Sequence, residues 1–282
     1  MTSFNPRIFT LAGSVLLGAL MSPLEAKEAK EDEVAPLRKC DSYCATEHFH
    51  EVPADWERAF RRVIGNVTKR LGYYDIDIVA WPSSNKPPVV HGKRLQGGQY
   101  VSGGTDADGR ERVLMVLEIP ETERKEKHPH LLSVIAHEYF HVYQRHVNPS
   151  MHPDFTIKWV IEGSAAVFES MYLKDFENNP HYAQRAQLRH ALPAVFGATM
   201  ETYENPEINY GTSTAMVLFA CRKAGFQRMV DYWKRQPTDE NWKALFEEVF
   251  EISVEEFYAE GKRASLKDLS LSAMGDLHRI RF

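Results

Sequence analysis

His137-Glu138-Tyr139-Phe140-His141 is the stretch on which the reading of this chain turns. Residues four apart on a helix share a face, so a helix here presents His137 and His141 to one point in space, with Glu138 one step round. The neighbours Leu131, Leu132, Val134, Ile135, Ala136, Tyr139, Phe140, Val142 and Tyr143 make the segment apolar nearly all round, which predicts a buried helix. Pro129 suits its first turn and Asn148-Pro149 stops it. Buried ionisable groups need partners. A metal ion serves two imidazoles in that position, and the adjacent carboxylate can reach a water on the ion. The alternative is one hydrogen-bonded core histidine and one at the surface.

Bulk properties limit the function classes. A hydrophobic content of 43% with 11% aromatics supports a sizeable core, and a net charge of −5 without a basic cluster argues against a nucleic-acid partner. No repeat or long low-complexity segment stands out. Arg7 precedes an apolar run from Ile8 to Met21, too short to span a bilayer comfortably but suited to a signal peptide, with Leu24-Glu25-Ala26 as the cleavage site. The expectation is an exported protein, periplasmic or secreted, with residues 1–26 as signal and no stable membrane span after cleavage; an uncleaved anchor is the alternative. Residues 27–50 read as a flexible leader in which Cys40 and Cys44 can pair in an oxidising compartment. Cys221 lies in an apolar run and reads as a buried thiol.

Trp56, Phe60, Val63, Ile64, Val67 and Leu71 follow helical spacing up to Gly72. Tyr74 to Trp81 reads as a strand, Gln99 to Ser102 as a short strand, and Arg112 to Ile119 as a buried strand ended by Pro120. Gly103-Gly104 and Asp108-Gly109 are turn signals. After the motif, helices are expected over 157–174, 181–196, 210–223, 226–234, 241–250 and 254–264, the last capped by Ser253, with 265–282 a weak tail. The layout predicts an α+β domain over 51–264, a small sheet and the motif helix followed by a mostly helical half. Candidate rim loops are 82–88, 97–109 and 149–155.

A catalytic zinc site takes three protein ligands and leaves a position open. One zincin pattern continues with a Gly and then a His. Gln144 and Val147 occupy those positions, and His146 is one residue off, so that pattern fails. The other pattern draws a Glu from a later helix. Glu162 sits in Trp159-Val160-Ile161-Glu162-Gly163-Ser164-Ala165-Ala166, where Gly163, Ala165 and Ala166 should let this helix come close to the motif helix.

Together, Ala136-His137-Glu138-Tyr139-Phe140-His141 and Trp159-Val160-Ile161-Glu162-Gly163-Ser164-Ala165 resemble the gluzincin branch of the zinc metallopeptidases, and the second segment is similar to that of MA-like peptidase domains. Weaker similarity lies in Tyr210-Gly211 and in the stretch from Phe246 to Phe257. The resemblance covers roughly Trp56 to Ala264, and its two zinc segments are the specific part. It implies a thermolysin-like fold whose cleft is lined by a sheet edge; Arg112 to Ile119 matches that strand's place in the order. It implies Zn²⁺ on His137, His141 and Glu162, Glu138 as general base, and a Tyr or His donor for the oxyanion. Tyr210 is the first choice for that donor, with Tyr203 the second. One departure is specific: the Asp that such enzymes carry four residues after the third ligand, orienting a zinc histidine, is Ala166 here. The role must pass to another group, Glu169 being one candidate, or to a backbone carbonyl. The expected partner is a peptide or protein substrate. An inactive peptidase-like binding protein and a zinc hydrolase of a non-peptide amide are the rivals.

Overall fold

The computed structural model describes residues 37–105, 111–123, 128–149, 151, 155–183, 186, 188–202 and 206–282. The segment read as a signal peptide, the expected leader up to residue 36, Asp108-Gly109 and Tyr203 lie outside them. The architecture is α+β: a small mixed sheet, then a helical C-terminal half.

Helix α1 (Ala54–Leu71) forms where the apolar period predicts, burying Trp56, Phe60, Val63, Ile64 and Leu71, and Gly72 ends it at φ 104°. The sheet has the order β2 (Thr46–Phe49), β4 (Asp77–Pro82), β8 (Glu111–Ile119), β7 (Gln99–Thr105). The first three strands are parallel, with Phe49 opposite Ala80 and Ile78 opposite Met115, and β7 runs antiparallel to β8. Two ladders flank it: β1 (Lys39–Cys40) on β3 (Tyr73–Tyr74), and the hairpin of β5 (Val89–Val90) and β6 (Lys93–Arg94).

Alternation assigns the two faces of the sheet. Ile78, Ala80, Met115 and Leu117 join the main core beneath the helices, whereas Val79, Trp81, Leu114 and Val116 pack on the other face with Val90 of the hairpin. β8 is therefore buried on both faces. The edge is β7, so the strand expected at the edge over 112–119 lies one position inside. The glycines read as a turn, Gly103-Gly104, continue β7. A β-carbon on Gly103 would meet the Arg145 guanidinium, so glycine there makes room for a helix side chain rather than for a turn.

The motif helix α2 (Pro129–Val147) and α3 (Lys158–Phe176) follow, then α4 (Pro206–Cys221), α5 (Gln227–Lys234), α6 (Trp242–Phe250) and α7 (Val254–Gly261). Ser253 caps α7 in a reciprocal capping box with Glu256. Three expectations change, and the buried-thiol reading of Cys221 stands. The residues after Cys44, expected as leader, form β2, anchored by Phe49 on Trp56 and Phe60 at ring distances of 5.7 and 5.1 Å. Cys40 and Cys44 form a disulfide, and Cys221 is a buried free thiol. The helix expected over 181–196 does not run through to its end: among the described residues Leu188–His190 and Pro193–Val195 are separate 3-10 turns, because Pro193 holds Leu192 extended at φ −124°, ψ 92°. The tail packs: Leu271, Met274 and Leu277 are buried in 3-10 turns, Leu269 is buried just after one, and the Phe282 ring lies 5.4 Å from that of Tyr143. Its leucines lack a helical period, which is why it read as loose. Among the described residues no helix is long and apolar enough to cross a membrane.

Candidate metal centre

α2 and α3 lie against each other, and their facing sides bring His137, His141 and Glu162 together. The His137 and His141 Nε2 atoms are 3.1 Å apart, and Glu162 Oε2 lies 3.3 Å from the first and 3.4 Å from the second. Both histidines are buried; the Glu162 side chain is 18% exposed and forms the open side.

The outer ring nitrogens show which way the inner ones face. His137 Nδ1 is 3.1 Å from Glu169 Oε2, and His141 Nδ1 is 2.6 Å from Gln144 Oε1. The Gln144 amide nitrogen donates to Ile161 O and Ser164 Oγ, which fixes its oxygen toward His141. Both partners are acceptors, so both Nδ1 atoms carry the proton. In its neutral form each imidazole then turns an Nε2 lone pair inward, beside a carboxylate. Two lone pairs and a negative oxygen at this spacing call for a cation. Ligands 2.0–2.2 Å from a tetrahedral ion stand about 3.3–3.5 Å apart, close to the observed triangle. The residues present fit zinc.

The role left open by Ala166 falls to Glu169. Ala166 is buried without a polar atom, while Glu169, one turn further along the same face of α3, has the longer side chain needed to reach His137. Gln144, not singled out from the sequence as a partner, holds His141. Its signal is its place three residues after that histidine on the same helix face. Ser164 Oγ also accepts from Trp233 Nε1 at 3.1 Å, so α5 braces Gln144 through α3. Gly163 does not serve the approach to α2 as expected. A β-carbon there would sit 2.5 Å from Ser213 O, so its absence lets α3 close on α4.

Glu138 is buried, lines the cleft, and has an Oε2 atom without a hydrogen-bond partner. Burial pushes its carboxyl above the ordinary carboxylate range. Burial would lower the His137 imidazole, but Glu162 and Glu169 outweigh it and hold the ring well above its usual value. Burial would raise Glu162, yet His141 and His137 outweigh it and hold that carboxyl well below its usual range. Metal-free, the triad is a strong trap for positive charge.

Tyr210 also reaches the site. It does not open its helix, because α4 begins at Pro206, whose fixed φ suits a first turn. From the fifth position its half-exposed ring lies 6.3 Å from that of His137, and its hydroxyl donates to Glu162. Desolvation and the Glu162, Glu138 and Glu169 carboxylates push its phenol upward. The cleft, about 350 Å³, is walled on one side by Gln99, Tyr100 and Val101 of edge strand β7 and also includes Arg145 and Lys158. Residues 99–101 belong to the expected rim segment 97–109 and stand here as strand, in line with the short strand expected over 99–102.

No protein-family model and no curated protein matches this chain.

Proposed function

We propose that the chain is an exported zinc-dependent metallopeptidase of the gluzincin type, with a thermolysin-like relation of sheet edge to helices. The observation that carries this reading is the convergence of His137 Nε2, His141 Nε2 and Glu162 Oε2 within 3.1–3.4 Å while both Nδ1 atoms are occupied by acceptors. When bound, zinc supplies Lewis acidity that polarises an amide carbonyl and acidifies water.

The chain's own groups do the rest. Glu138, raised by burial and without a competing hydrogen bond on Oε2, accepts the proton of the attacking water and passes it to the leaving amine. Tyr210 provides a hydroxyl donor at the cleft for the developing oxyanion. An extended peptide can pair with β7, the edge strand of the sheet among the described residues. Glu169 and Gln144 keep the two imidazoles in the tautomer that faces inward.

The test is a peptide-library digest with wild type and Glu138→Gln, alongside zinc content. Wild type should cleave peptides and carry zinc. The variant should keep its zinc and lose about 10²–10⁴-fold in rate. Full activity in a zinc-loaded Glu138→Gln protein would overturn the mechanism, and wild type without zinc would overturn the reading. Zinc without peptide cleavage would move the substrate to another amide or leave a binding role.

A further inference from the structure

A second group of donors lies on the opposite face of the sheet. His48 stands on β2, Asp77 opens β4, and His91 occupies the turn between β5 and β6. His48 Nε2 is 2.8 Å from Asp77 Oδ1, and His91 Nε2 is 3.0 Å from Asp77 Oδ2. The three ligand atoms lie within 4.8 Å of one another, and the two rings meet edge to face at 6.0 Å. We propose that His48, Asp77 and His91 form a second site for a divalent transition metal, which ties the β5–β6 hairpin to the sheet.

Three observations carry this. First, the Asp77 side chain is 3% exposed, beside the apolar Val79 and Leu114 side of the sheet. A carboxylate out of water needs a compensating cation. Among the described residues the groups that meet it are the two imidazoles. Second, the histidine side chains are 30% and 28% exposed. Their outer edges are open, which leaves an entry path and room for solvent as a further ligand. Third, the turn is built at a conformational disadvantage. His91 has φ 49° and Gly92 φ 75°, a two-residue turn in which Asn-Gly or Gly-Gly is the usual choice. A histidine placed there brings an imidazole onto Asp77.

Two imidazoles and one carboxylate select zinc-like dications over calcium or magnesium, which prefer all-oxygen sets. The two hydrogen bonds run to different oxygens of Asp77 and the three ligand atoms lie within 4.8 Å of one another, so loading needs the two partly exposed rings to turn until the ligand atoms stand about 3.3–3.5 Å apart. The consequence reaches the cleft. Val90 of the hairpin belongs with Trp81 to the apolar cluster on this face of the sheet, Tyr100 packs against that cluster, and Tyr100 also lines the cleft that includes His141. A metal on the hairpin therefore stiffens one wall of that cleft.

The experiment uses the full chain, stripped with chelator and titrated with Zn²⁺, with bound metal counted after desalting. Wild type should take two equivalents, His137→Gln/His141→Gln one, His48→Gln/His91→Gln one, and the quadruple variant none. In the His137→Gln/His141→Gln background, Zn²⁺ should also slow amide exchange over residues 89–95; that readout uses an intact sheet site and so does not depend on the sheet-site variants folding. A His137→Gln/His141→Gln protein that binds no zinc, or unchanged exchange over 89–95, overturns the proposal. Retention of the sheet equivalent in a protein that lacks the helical one leaves this site standing while sinking the peptidase reading, so the two are separable.

Discussion

The two donor clusters hold the same inventory, two histidines and one carboxylate, with the polarity of burial reversed. On the helices both histidines are buried and the carboxylate of Glu162 is the open member, at 18%. On the sheet the carboxylate of Asp77 is buried and the histidines are the open members. The helical cluster has an acceptor behind each imidazole, Glu169 and Gln144. In the sheet cluster, among the described residues, each imidazole's hydrogen-bond partner is Asp77 itself. The difference teaches how a protein builds a tight, oriented site as against an adjustable one. Fixed tautomers inside a core suit chemistry, and half-exposed rings on a strand and a turn suit a reversible clamp.

The largest effect separating the two should come from the open ligand of the helical cluster. Glu162→Ala should lower peptide hydrolysis by about 10³-fold or more and remove one zinc equivalent, because transition-state stabilisation at the carbonyl depends on a correctly held ion. The sheet equivalent should stay in place. Peptidase rates with metal counting check this, and full activity in the variant would erase the distinction between the sites.

Next come the groups behind the imidazoles. Gln144→Met and Glu169→Leu should each weaken zinc at the helical cluster by about 10–100-fold, read by competition with a chelating dye in the His48→Gln/His91→Gln background. Equal affinity in variant and parent would show that the orienting contacts contribute nothing, and that the two clusters differ in burial alone.

A smaller effect should follow from the backbone beneath Glu162. In Gly163→Ala the new methyl meets Ser213 O, which a flexible side chain cannot relieve. A stability loss of about 1–3 kcal/mol in urea unfolding is expected, with no change in Zn²⁺ protection of residues 89–95. A neutral result would mean that α3 and α4 can slide apart at no cost.

The smallest effect concerns His146, on α2 beyond both clusters. Its Nδ1 donates to Leu37 O at 2.9 Å, its ring lies 4.7 Å from that of Tyr74, and Lys39 is the nearby charge. Burial pushes this imidazole below its ordinary value of 6.5. The fold thus favours the neutral ring, so its contribution is present above about pH 6.5 and is lost as pH falls below that value. Thermal melts of metal-free protein between pH 5 and 8 should show a shallower acid-side decline in His146→Gln than in wild type. An identical decline would assign acid sensitivity elsewhere.

The two clusters were unequally legible for a physical reason. Helical periodicity puts His137 and His141 on one face within five residues, so spacing alone exposes the pair. Glu162 was found through its small neighbours, although Gly163 turned out to serve α4 rather than α2. Glu169 was one candidate for orienting a histidine, and the face it shares with Glu162 brings it to His137. His48, Asp77 and His91 carry no such signal. They are separated by 29 and 14 residues and meet through parallel strand register and a hairpin turn. The edge strand shows the same limit: an apolar run over 112–119 reads as a buried strand, but which strand borders it is a property of pairing.

The sequence by itself determined the helices with clear period and caps, the buried character of α2, and the shared face of His137 and His141, because local periodicity places side chains before any long-range contact forms; Glu162 was picked out through its small neighbours and the resemblance they carry. Only the tertiary structure decided that β7 walls the cleft, that the C-terminal leucines close the core, that Gln144 and Glu169 orient the two imidazoles, and that a second His-Asp-His cluster exists across the sheet. Those outcomes depend on register, chain crossing and the packing of segments far apart in sequence, which no local pattern encodes.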